Sequence, residues 1–114
     1  MADELDTISN HIERLGDSAI NLQTLSSQAM RDGDPAKAQD LATQAMLMMG
    51  KKAELRARRR DLEATGDEWR NMLDKLDDLD LKASEAKVNM HKAEDTVEAA
   101  KTVLGVVGKI LTVL

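Results

Sequence analysis

Between Trp69 and Leu114 an apolar residue recurs every third and then fourth position: Trp69, Met72, Leu76, Leu79, Ala83, Ala86, Met90, Ala93, Val97, Ala100, Leu104, Val107, Leu111, Leu114. That alternation holds one stripe on one side of an α-helix, and a stripe requires other helices to cover it. Read as one helix over 67–113, the segment is a rod about 70 Å long at 1.5 Å per residue. The amino-terminal third carries the same alternation in Leu5, Ile8, Ile12, Leu15, Ala19, Leu22, Ser26 and Ala29. Ala38, Leu41, Ala45, Met48, Leu55 and Leu62 continue it, with Lys52 and Arg59 interrupting the stripe.

Composition excludes a sheet protein. The only aromatic residue among Phe, Trp and Tyr is Trp69, and the core must otherwise be built from Leu, Ala, Met, Ile and Val. Leu, Ala and Met, which favour helices, outnumber the β-branched Ile and Val, and the aromatic residues that enrich strands are nearly absent. At 114 residues the chain is expected to form one all-α domain, and without cysteine it has neither a disulfide framework nor a thiolate metal site.

Two breaks divide the helices. Arg31-Asp32-Gly33-Asp34-Pro35 offers a glycine to end one helix, an aspartate to cap the next and a proline for its first turn. Ala64-Thr65-Gly66-Asp67-Glu68 repeats the pattern, with Thr65 and Glu68 at capping-box spacing or Asp67 as the cap. Helices are therefore expected at about 3–31, 35–64 and 67–113. Folding them about the two breaks predicts an elongated up-down-up three-helix antiparallel coiled-coil bundle, from which the long carboxyl-terminal helix projects. Trp69 is expected to plug one end.

The projecting segment, 97–114, is the most apolar in the chain. Val97, Ala100, Val103, Leu104, Val107, Ile110, Leu111 and Leu114 form the expected partner-binding face, because uncovered apolar patches of that size mark interaction sites. A second helical protein, or another copy making a homo-oligomer, is the expected occupant. A membrane surface is the alternative, although the dense run from Val103 to Leu114 is too short to span a bilayer.

Charge is uneven along the chain. The net charge of -5 argues against nucleic acid as a general partner. Residues 35–66 nevertheless hold seven bases against four acids, clustered from Lys51 to Arg60. Lys52, Arg56, Arg59 and Arg60 are candidate electrostatic contacts, with Lys52 and Arg59 expected to pack their stems in the stripe and raise their heads to water. In the three-helix layout Arg56 and Arg60 lie along Asp74, Asp77, Asp78 and Asp80. Those four aspartates also suggest a further alternative, an acidic inhibitor of a nucleic-acid-binding protein.

Catalytic signatures and metal motifs are missing from the sequence. His91 with Glu94 and Asp95 supplies one imidazole and local carboxylates, a pattern that reads as a solvated cluster. No glycine-rich phosphate loop occurs, and no cofactor is implied. The acidic start, with no apolar run, makes a cytoplasmic location the default expectation. In outline the Pro35 hairpin with its apolar terminal helix is similar to small helical subunits of bacterial secretion assemblies, and the three-helix layout resembles a spectrin-type repeat. Both are likenesses of layout alone. The expected function is a non-enzymatic interaction protein that self-associates or docks on a larger assembly through its carboxyl-terminal helix.

Overall fold

Gly33 takes a left-handed conformation, φ +82°, and ends the first helix as its position in the sequence demands. The Asp34 amide donates to the Ala29 carbonyl at 3.0 Å and the Gly33 amide to that of Met30 at 3.1 Å, satisfying two carbonyls the helix would leave orphaned. Asp34 then caps the next helix, its Oδ1 accepting from the Lys37 amide at 3.1 Å, and Pro35 occupies the first turn. A single tight corner thus joins α1 (Ala2–Arg31) to α2 (Pro35–Ala57). The structure, a computed structural model, describes residues 2–62 and 66–112, with side chains described from Asp6 onward. Expectations for the Leu5 side chain, Thr65 and Leu114 lie outside the described residues.

The second helix ends seven residues before the expected position 64. After Ala57 the chain makes a short 3₁₀ turn, Arg59–Asp61, and Leu62 adopts an extended conformation that buries its side chain in the core. Gly66, with φ +152°, precedes α3 (Asp67–Val88), so Asp67 is the first helical residue rather than the cap.

The largest correction concerns 67–113, which is two helices. α3 stops at Val88, Met90–Lys92 form a 3₁₀ turn, and α4 (Ala93–Thr112) folds back. Asn89 makes the break: its backbone is extended, and its side-chain oxygen accepts from the His91 amide at 3.1 Å. Its own amide still reaches the Glu85 carbonyl at 3.0 Å, closing α3 without an orphan donor. Folding back costs a few helical hydrogen bonds, each about 0.5–1.5 kcal/mol net. It buries Val103, Val106, Val107 and Ile110, and full burial of such side chains contributes about 1.5–3 kcal/mol each. Burial outweighs the interruption.

The result is an all-α four-helix bundle measuring 49 × 21 × 21 Å. α1 packs on α2 and α3 on α4 as hairpins, while α1 lies beside α3 and α2 beside α4. α1 and α3 run parallel, as the contacts of His11 with Trp69 and of Gln28 with the Lys87 carbonyl require. The chain therefore crosses one end diagonally between α2 and α3. Each helix meets two neighbours, so its buried stripe is wider than a two-helix seam. On α1 this brings Leu25 fully inside, whereas Ser26 sits at the edge and donates its hydroxyl to the Ala38 carbonyl at 2.6 Å.

Candidate interaction surface

The residues expected to form a docking face are inside the molecule. Ala100, Val103 and Val107 have no exposed surface, Ile110 and Leu111 are buried, and Val97 and Leu104 are half-buried against the core. No projecting extension exists over 97–112, because α4 turns its stripe onto α2 and α3. Gly105 and Gly108 of α4 make no close helix contact, since no atom of another element lies within 4 Å of where a Cβ would stand.

The basic cluster divides into two parts. Lys52 lays its stem over Gly16 and reaches Glu13 at 3.5 Å, as a snorkelling residue should, and Arg56 donates to the other oxygen of the same carboxylate. Lys52, helped by hydrogen bonds from Arg56 and from Lys52 itself, holds the Glu13 carboxyl below its usual range. Arg58, Arg59 and Arg60 are exposed beyond the end of α2. Arg59 is therefore not a stripe residue: it belongs to the 3₁₀ turn and borders a small cleft with Ser9, Ile12, Glu13 and Arg56.

Nor do the aspartates of α3 face the second helix. Asp77 and Asp80 are held by Arg14 of α1, each at 2.6 Å, and Asp78 pairs with Lys82 at 3.5 Å. Three of the four carboxylates suggested as an inhibitor surface are thus engaged within the chain. Trp69 is buried, its ring 5.3 Å from that of His11 at a tilt of 32°. Among the described residues no group of three or more histidine, aspartate or glutamate side chains is placed to hold a metal ion, His91, Glu94 and Asp95 included. No helix among them is long and apolar enough to cross a membrane.

Large exposed apolar residues stand on α3, where Leu81 is 59% and Val88 91% exposed, and in greater number on the α1–α2 hairpin. Met46 is 72% exposed, Leu47 50%, Ile20 56% and Met30 59%, with Met49 at 39%. Met46 and Met49 border a groove of about 420 Å³ between the two helices, floored by Ala42 and edged by Gln23, Ser26 and Ser27. Helical geometry explains the grouping, since Ala42, Met46 and Met49 are four and then three residues apart and so share one face. Methionine is suited to such a place because its unbranched, polarisable chain adapts to whatever covers it. This surface was readable in the sequence as a second stripe on α2, masked by the stronger seam through Leu41, Ala45 and Met48.

A second groove, of about 680 Å³, runs between α2 and α4 and is edged by Asp34, Asp40, Glu94, Asp95 and Glu98 with Lys37 and Lys101. Gln44 lines it, buried, and its Oε1 has no hydrogen-bond partner. The groove makes this end of the bundle acidic. No protein-family model matches the chain, and no curated protein or solved structure shows significant similarity to it.

Proposed function

We propose that the protein is a non-enzymatic interaction module whose docking surface is the exposed face of the α1–α2 hairpin. The observation carrying this reading is that Met46 and Met49 line a groove between α1 and α2, with Ile20 and Leu47 also exposed on the same hairpin. Scattered exposed apolar residues are ordinary, but exposed methionines lining a groove are a feature that selection on solubility removes unless something covers it. The surrounding charges favour a protein as the cover, since the patch runs from an arginine cluster at one end of α2 to aspartates at the other.

Site-specific photo-crosslinking tests it. A photoreactive residue at position 46 is expected to give adducts in extracts of the native host, with the chain itself or with another protein. The same group at the exposed Thr102 of α4 should give few. Equal yields at both positions, or none at 46, would reject the reading.

A further inference from the structure

We infer that the occupant of this face is a second copy of the chain, docked so that α2 runs antiparallel to α2 of its twin about a two-fold axis at Met46. The inference rests on the proposed role of the hairpin face and names its partner. With Met46 opposite itself, residues equally far before and after it stand at the same height along the paired helices.

The sequence of α2 and its flanks has the mirror relation that such an axis requires. Asp40 and Lys52 are equidistant from Met46, as are Asp34 and Arg58, Asp32 and Arg60, and Arg31 and Asp61. All four pairs are of opposite charge, and over 31–61 no mirrored pair is of like charge. A parallel arrangement would instead bring the arginines together and the aspartates together. Complementarity of this kind fixes direction and register, because the same patch must satisfy itself.

The apolar stripe obeys the same relation. Ala42 falls opposite Gly50, and Thr43 opposite Met49, so small residues meet where two backbones must approach and the methionines fill the space beside them. Gly50 has nothing within 4 Å of its Cβ position, which leaves room for a neighbouring helix. Lys52 is already held by Glu13, so the ends of the interface depend on Arg58 and Arg60. Neither has an ion pair among the described residues, and nor does Asp32; Glu94 and Asp95, beside Asp34 in the adjoining groove, deepen the negative end that would receive the arginines.

Sedimentation of the full chain over micromolar to millimolar concentrations tests this. A monomer–dimer equilibrium is expected, and its dissociation constant should rise at least about tenfold on Met46→Asp, a cost of about 1.4 kcal/mol. Met46 is exposed, so the variant should keep its helical circular dichroism. The variants R60E and D32K should each dimerise more weakly than the parent, and an equimolar mixture of the two should recover the affinity as a heterodimer. A monomer at every concentration, a dimer indifferent to Met46→Asp, or a mixture no tighter than its components would overturn the inference. If the chain is monomeric while position 46 crosslinks to other proteins, the self-pairing is wrong and the docking surface stands. If neither occurs, both are wrong.

Discussion

Arg14 of α1 reaches Asp80 of α3 at 2.6 Å, and the same carboxylate accepts from Ser18 at 2.9 Å and from Asn21 at 3.2 Å. Three side chains along one face of α1 thus converge on a single oxygen pair of α3. Together with the Gln28 hydrogen bond to the Lys87 carbonyl further along the same pair of helices, this cluster fixes how far one hairpin can slide along the other.

Its members should differ in cost. Asp80→Ala leaves Arg14, Ser18 and Asn21 short of an acceptor, with Ser18 fully buried, and is expected to lower stability by about 1–2 kcal/mol. Asp77 is bound by the same arginine, but its side chain is 74% exposed. Removing an exposed partner contributes less than about 0.5 kcal/mol. Urea unfolding of the two alanine variants measures the difference, and equal losses would contradict the assigned roles.

His11 should make stability depend on pH. Burial pushes its pKa below the ordinary histidine value, and the ring packs on Trp69. As pH falls through about 6.5 the unfolded chain takes up the proton first. The contribution of this residue is therefore complete above that pH, declines down to the lower pKa of the folded state, and levels off below it. The only tryptophan in the chain reports the event directly. Its emission should change with a midpoint below about 6.5, and His11→Gln should abolish the change. Persistence in that variant would assign the titration elsewhere.

The glycines should respond in opposite senses. Gly33 sits at φ +82°, where a Cβ is strained, so Gly33→Ala is expected to cost about 1 kcal/mol although the space around it is open. Gly105 lies inside α4 with no neighbour at its Cβ position, and Gly105→Ala should add about 0.5–1 kcal/mol through helix propensity alone. Gly16→Ala meets only the end of the Lys52 side chain. It should gain helix propensity while loosening the Lys52–Glu13 pair. Thermal unfolding of the three variants gives the order.

These contrasts show which parts of the fold the sequence makes plain. The Gly33-Asp34-Pro35 corner is legible because each residue type has a local reason to be there, and the buried stripes of α1 and α3 are legible because spacing alone sets them. The break at Asn89 is not. Ala86, Met90 and Ala93 keep the three-four alternation through the turn, so periodicity reports one helix across two. Neither glycine nor proline marks the place, and the signal is only a run of weak helix formers, Val88, Asn89 and His91. What decides the matter is tertiary: an apolar segment with nothing to cover it folds back whenever one turn can be formed cheaply. The same step moved the candidate docking face from α4 to α2, because the stripe that looked unpartnered was the fourth wall of the core.

Replacing Val107 with aspartate distinguishes a buried α4 from a projecting one. Val107 has no exposed surface, and an unpaired carboxylate there must be desolvated or protonated, an unfavourable change of at least about 4 kcal/mol in a packed interior. On an exposed extension the same substitution would leave the remaining bundle as stable as before and would only weaken association. The four-helix packing therefore predicts that Val107→Asp lowers the unfolding midpoint of the whole chain and shifts Trp69 emission, although the two residues belong to different helices. Thr102→Asp, on the exposed side of the same helix, should leave the midpoint nearly unchanged. A variant at position 107 that unfolds at the parent's denaturant concentration would return the carboxyl-terminal helix to the outside.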